Sequence, residues 1–388
     1  MKKYYFSIAI IFGIASGYSQ QEFIYELADG ISSVFVNLLK LVSIPILFLS
    51  IVSTISGMTN TLELKSLSRS TIRYTLITTV IAASIALGLF LIIQPIAIDI
   101  HSLSSTTSPT FTASMQTLLD IVPSNIVQPF NEGNIIGVLM IAILLSIAII
   151  SLPAPQRELL HTFFTSMHAA TMKIVSYIIK LLPIAVFGFI VLFMRELQLG
   201  LALNTLGKYL LCIVLANLVQ AFIVLPLFLK SKKIKVIPFV KHMWPALMLA
   251  FWSKSSSAAL PLSLKCAEKA GINSKVAKFT LPLCTTINMN ACAAFIITTV
   301  LFVAISHGAT FSTAELLLWV VIATIAAVGN AGVPMGCYFI ASALLAYMDV
   351  PLYLLGIILP FYSIIDMLES SINVWSDCCV TKMVDGEQ

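Results

Sequence analysis

Apolar residues come in long blocks along this chain, and the polar positions inside those blocks are few enough to read one by one. Apolar segments lie near residues 4–18, 33–57, 72–97, 134–152, 163–194 and 202–229, the pattern expected of helices crossing a hydrocarbon core of ~30 Å. After residue 241 the pattern changes. Met243–Trp252 is apolar but short, and about ten residues do not span a bilayer. It runs into Ser253-Lys254-Ser255-Ser256-Ser257 and a second short arm, Ala258–Leu264, closed by Lys265 and Lys269. A polar tip at membrane depth must face protein or a water-filled cavity. The segment therefore reads as a re-entrant helical hairpin, with a Ser-rich kink in a spanning helix as the alternative.

Two further segments are interrupted. Val276–Ile305 is long enough to span, but Thr285-Thr286-Ile287-Asn288-Met289-Asn290 breaks it. This predicts an unwound turn whose carbonyls and amides hold a small cation, with polar helix packing as the competing account. Ala314–Val328 and Cys337–Met348 flank Gly329-Asn330-Ala331-Gly332-Val333-Pro334-Met335-Gly336, too rich in Gly and Pro to continue a helix. The chain then ends on a striped helix. In IIDMLESSINVWSD, Asp366, Glu369, Ser370, Asn373 and Asp377 share one face at helical spacing, opposite Ile365, Met367, Ile372 and Val374. A surface amphipathic helix is the ordinary reading of such a stripe. Against it stand the unbroken apolar run from Pro351 to Ile365 and the lack of any Lys or Arg in the stripe. Ionisable residues inside membrane segments usually mark a transport or ion pathway. Hairpin, broken helix, hairpin and striped helix correspond in two halves, as in inverted-repeat transporters with a midplane site.

Composition agrees: 59% of residues are hydrophobic, 10% are charged, and the mean hydropathy is +1.00, values of a polytopic membrane protein. The first twenty residues have the layout of a secretory signal, but the apolar run leads on into further spans, and an uncleaved first helix is expected. Lys2, Lys3, Lys65, Arg69, Arg73, Arg157 and the run Lys230, Lys232, Lys233, Lys235 and Lys241 fall in alternate loops. With the N-terminus inside, all Lys-rich loops lie in the cytoplasm. The +5 net charge is thus topology, and no nucleic-acid footprint is present. The Ser/Thr-rich stretch 98–133 is expected to be external. None of the seven Cys has CxxC spacing, which argues against a metal or redox framework. No nucleophile–base pair, H-E-x-x-H or phosphate loop points to an enzyme.

The ordered set SKSSSAALP, TLPLCTTINMN, GNAGVP and DMLESSINVWSD, with LLKLVSIPILFLSIVSTISGM (Leu38–Met58) and LLPIAVFGFI (Leu181–Ile190), resembles the dicarboxylate/amino acid:cation symporter family, the glutamate-transporter homologues. The likeness runs nearly end to end. It implies an all-α fold of eight transmembrane helices with two re-entrant hairpins in inverted repeats, assembled as a homotrimer of independent elevator-type transport domains. Residues 1–72 would be scaffold helices 1–2, and 73–133 transport-domain helix 3 with the external loop. Residues 134–230 would be scaffold helices 4–5 and transport-domain helix 6, and 231–388 the transport core. It also implies a multi-pass protein of the inner (plasma) membrane with both termini cytoplasmic, in contact with the lipid bilayer and taking a small amino acid as substrate.

Roles carry over by motif. Asp366 would bind the substrate ammonium and Asn373 the α-carboxylate. Ser255, Ser256, Ser257, Cys292, Val333, Gly336, Glu369 and Ser370 would complete the cradle. Sodium would be held by Asp377, Asn288, Asn373 and the backbone at Cys284, and a further ion by Thr286, Met289 and residues near Val328–Asn330. Three departures matter. The family's NMDGT reads Asn288-Met289-Asn290-Ala291-Cys292, and its Tyr-x-x-Thr-Ser reads Thr75-Leu76-Ile77-Thr78-Thr79. A third sodium site, to which Asn290 would belong, thereby loses its charge and its tyrosine, so fewer than three Na+ are expected, or H+ instead. Where acidic-substrate members carry Arg, this chain has Glu369. Neutral or cationic amino acids are then the expected substrates. Glu369 is open to three roles: receiving a cationic side chain, pairing with Lys254, or carrying a proton. A dicarboxylate symporter, a channel and a transport-inactive member of the family are the alternatives.

Overall fold

The computed structural model describes residues 3–57, 62–95, 123–132, 134–198, 203–330 and 335–387. Val333 and most of the Ser/Thr-rich stretch lie outside them. The described residues are helical, with no strand among them. The outer helices are α1 (Lys3–Tyr18), α2 (Glu22–Ser56), α3 (Leu62–Ile93), the short α4 (Gln128–Glu132), α5 (Ile135–Ser151), α6 (Ala154–Lys180) and α7 (Leu182–Gln198). α8 (Leu203–Val219) passes through a π turn at Gln220–Val224 into α9 (Leu225–Ser231). The core follows: α10 (Val236–Ser253), α11 (Ser256–Lys269), α12 (Ser274–Ile287), α13 (Asn290–Ser306), α14 (Thr313–Val328), α15 (Gly336–Tyr347) and α16 (Tyr353–Asp385).

Four stretches among the described residues are long and apolar enough to cross a membrane: Ser66–Ile93, Asn204–Ser231, Ser274–Ser306 and Tyr353–Asp385. Large apolar side chains face outward from many helices, among them Phe12, Phe23, Ile92, Phe222, Trp244 and Trp252. An apolar exterior over helices of this length is what a bilayer, not water, stabilises.

Two expectations about helix length are corrected. The segment 163–194 is not one helix: α6 and α7 bend by 52° at Leu181, where Pro183 supplies no amide to the preceding turn. The first hairpin arm is not ten residues but the 18 of α10, because Pro245 sits inside the helix without ending it. α11 likewise runs 14 residues, and the two arms pack against each other. Only Lys254, in the left-handed region at φ 55°, and Ser255 separate them. A left-handed non-glycine costs about 1–2 kcal/mol, so the turn is held by its surroundings. Ser255 caps α11 by accepting from Ala258 N–H at 3.2 Å.

α16 sits at the centre, packed by α7, α10, α11, α12 and α13. Both of its faces are buried, the apolar Ile365, Ile372 and Val374 and the polar Asp366, Glu369, Asn373 and Asp377 alike. The surface-helix reading of the stripe therefore fails. Its C-terminal end is tied down: Glu387 accepts from Arg73 at 2.8 Å and Lys232 at 3.2 Å, and from the Tyr74 hydroxyl. Burial alone would raise the Glu387 carboxyl pKa, but the hydrogen bonds from Tyr74, Lys232 and Ser70 and the charge of Arg73 outweigh it and leave the pKa below its usual value. A lowered carboxylate pKa contributes stability above the unfolded value that is lost as pH falls through the folded one. Glu387→Gln is thus expected to cost up to about 1 kcal/mol near neutral pH and nothing once the wild-type carboxylate is protonated. Thermal melts of both forms across acidic pH check this; a constant difference would contradict it.

Candidate functional site

Two polar clusters line the buried side of α16. The first gathers around Asp377, which is 1% exposed. The helix breaks for only two residues, Asn288 (φ −97°) and Met289 (φ −111°), between α12 and α13. That break turns both asparagines of the motif towards α16. Asn288 Nδ2 donates to Asp377 Oδ1 and to Ser376 Oγ, each at 2.9 Å. Asn290 Nδ2 donates to the same Ser376 Oγ at 2.6 Å. From α3, Thr79 donates to Asn290 Oδ1 at 2.7 Å, and Thr78 lies 3.4 Å from it and 3.5 Å from Asn288 Oδ1. Thr285 Oγ1 is 3.5 Å from Asp377 Oδ2. One carboxylate gathered with two amides and several hydroxyls, the amide oxygens turned to the α3 threonines, supplies the oxygen donors that a hard monovalent cation takes.

Not every residue expected at the two ion sites joins this cluster. Met289 is buried, but the Thr286 hydroxyl bonds back to Leu283 O at 2.7 Å. The Cys284 carbonyl accepts the Asn288 amide at 2.8 Å, closing the last turn of α12. Two residues were not anticipated. Ser376 bridges the asparagines, and Gln220, in the π turn, donates to Thr78 O at 3.2 Å. Their signals were present: Ser376 neighbours Asp377, and Gln220 stands with Asn217 as a buried amide in an apolar span. π turns often mark functional positions.

The second cluster lies half a stripe further towards the middle of α16. Asn373 Oδ1 accepts Ala291 N–H at 3.0 Å while its Nδ2 reaches Cys292 Sγ at 3.3 Å. This fixes the amide's orientation at the first turn of α13. Asp366 is met by the Met335 backbone amide and by the charge of Lys254. Lys254 Nζ itself donates to Ser363 Oγ, one turn from Asp366. The pairing of Lys254 with Glu369 is therefore not formed. Glu369 instead accepts the Tyr362 hydroxyl at 3.2 Å through Oε2, and its Oε1 has no partner. Tyr362 was not foreseen either; it lies on the same helix, seven residues before Glu369. Ser256 and Ser370 are buried, whereas Ser257 is exposed.

Gly336 opens α15 immediately after Met335, which is left-handed at φ 61°. A Cβ at 336 would collide with the Asn330 side chain, so only glycine lets the two breaks close together. Asn330 Nδ2 donates to Cys292 Sγ at 3.0 Å and to Cys337 Sγ at 3.4 Å. Cys292 and Cys337 form a disulfide-bonded pair, correcting the expectation from spacing that the cysteines carry no redox framework. CxxC spacing detects pairs within one turn, and this pair joins α13 to α15 across 45 residues.

Compared with known proteins, residues 4–387 match the Sodium:dicarboxylate symporter family. The chain belongs to that family. Membership makes it a multi-pass membrane transporter in a family of transporters, not enzymes. Neutral amino acid transporter B(0) of Bos taurus is 29% identical over 379 residues, covering 88% of this chain and 70% of the relative. The Oryctolagus cuniculus protein of the same name is 30% identical over 381 residues, with the same coverage. The Proton/glutamate-aspartate symporter of Escherichia coli (strain K12) is 26% identical over 368 residues, covering 92% and 84%.

Proposed function

We propose that this member of the Sodium:dicarboxylate symporter family is a cation-coupled amino-acid symporter taking neutral or cationic amino acids rather than acidic ones. The observation that carries the substrate choice is Glu369: 1% exposed, bonded to a hydroxyl, and with no Lys or Arg paired to it among the described residues. In this reading Asp366 receives the substrate ammonium, Asn373 with the α13 terminus receives the carboxylate, and the free Glu369 oxygen receives a donor from the substrate side chain. Side chains bearing an amide, hydroxyl or cationic group fit. Relatives named for neutral amino acids and for glutamate-aspartate both occur, so the choice rests on this residue. The coupling ion is sodium at the Asp377 cluster, fewer than three per cycle. Eight spans, two re-entrant hairpins (α10–α11 and α14–α15), a trimeric scaffold and elevator movement of the residue 231–388 core complete the proposal.

A second carboxylate would face Glu369 in a site shielded from water. Against an ionised Glu369, at an effective dielectric near 20, two charges ~4 Å apart repel by about 4 kcal/mol, nearly a thousandfold in affinity. Reconstituted protein should accumulate neutral or basic amino acids under a sodium gradient and leave glutamate outside, and Glu369→Arg should move the preference towards acidic substrates. Uptake of glutamate alone, or uptake driven by a proton gradient and indifferent to sodium, would overturn the substrate or the ion assignment respectively. Downhill flux only would indicate a channel.

A further inference from the structure

Cys292, Cys337 and Glu369 come from three separate helices, α13, α15 and α16, and their ligand atoms all lie within 4.8 Å of one another. Each residue is at most 2% exposed. Symport as proposed above requires none of the sulfur chemistry this brings together. The carboxylate's Oε1 is buried without a partner, which an interior polar atom rarely tolerates. Both sulfurs receive amide donors, from Asn330 to both and from Asn373 to Cys292. Such outer-sphere hydrogen bonds orient sulfur ligands and stabilise charge on them.

We propose that, when the cysteine pair is reduced, Cys292, Cys337 and Glu369 form a three-ligand site for a thiophilic divalent cation of the Zn2+ class. Two sulfurs and one carboxylate oxygen are a donor set that zinc accepts, with the fourth tetrahedral position left open. In such a site sulfur ligands lie about 3.8 Å apart around metal–sulfur bonds of about 2.3 Å, so small side-chain movements from the observed positions suffice. The chemistry balances. Two thiols of a reductant become one disulfide as the Cys292–Cys337 bond is reduced to two thiols, and metal capture then releases two protons, one per thiol. Soft thiolates disfavour sodium or calcium here, so this site is distinct from the oxygen-lined Asp377 cluster. It overlaps the proposed substrate cradle at Cys292 and Glu369, but metal binding does not depend on that proposal.

The test uses the full chain, purified in detergent, reduced and freed of reductant, and titrated with Cd2+ as a spectroscopic substitute. A thiolate-to-metal charge-transfer band saturating at one Cd2+ per chain and displaced by Zn2+ is expected. The Cys292→Ser/Cys337→Ser double variant should lose the band, and Glu369→Gln should weaken binding by about tenfold or more. Should these variants not fold, X-ray absorption of the wild-type Zn2+ complex still decides, with two sulfurs in the coordination shell expected. No band, a band undiminished in the double variant, or a shell of oxygen alone or of three or more sulfurs overturns the proposal. So does intact-mass evidence that the disulfide survives reduction of the folded protein.

Discussion

Asp366→Asn is expected to abolish measurable substrate binding while the protein still elutes as one species on size exclusion. The carboxyl group is 7% exposed and faces Lys254 and the Met335 amide. A substrate ammonium brought into this pocket needs a fixed negative charge. Removing one partner of a buried pair costs about 3 kcal/mol or more, over a hundredfold in affinity. The same change leaves Lys254 without its counter-charge, so some loss of stability accompanies it. Lys254→Met in the Asp366→Asn background should recover that stability without recovering binding. Titration of the amino acid selected by the uptake panel, followed by thermal shift, reads the two effects separately. Unchanged affinity in Asp366→Asn would remove this residue from the site.

Asp377→Asn is expected to weaken sodium dependence by a comparably large amount. Its carboxylate is the one formal charge among the described groups that converge on Asn288, Asn290, Ser376, Thr78 and Thr79. A unit charge ~4 Å away at an effective dielectric near 20 is worth about 4 kcal/mol, on the order of a thousandfold in cation affinity. Neutral amides hold a hard cation far less tightly than carboxylates do. Because Asn290, Thr78 and Thr79 bring no charge of their own, the same argument limits coupling to fewer than three sodium ions. Reversal potentials at varied sodium measure this number. Three or more ions per cycle, or full sodium-driven transport by Asp377→Asn, would contradict the assignment of this cluster.

The sequence by itself determined the class and the order of the parts. Hydropathy marked the apolar segments, and the GNAGVPMG break appears where α14 ends at Val328 and α15 begins at Gly336. Local chemistry dictates such features: glycine, proline and unpaired polar groups end helices wherever they stand. The striped face of α16 was legible for the same reason, since periodicity is a property of neighbouring residues. Spacing did not reveal what each stripe residue meets. Lys254 at the hairpin tip and Glu369 on the stripe carry complementary charge types, yet a left-handed turn at Lys254 sends its ammonium to Ser363 and Asp366, leaving Glu369 to a tyrosine. Pro183 bends a segment that composition reads as continuous, while Pro245 and Pro360 stay inside their helices, because neighbouring helices decide whether a lost hydrogen bond is tolerated. What Ser376, Gln220 and the two cysteines of the Cys292–Cys337 pair meet was decided only by tertiary structure. Their partners lie on other helices, and contacts made across the packed core leave no periodicity in the chain.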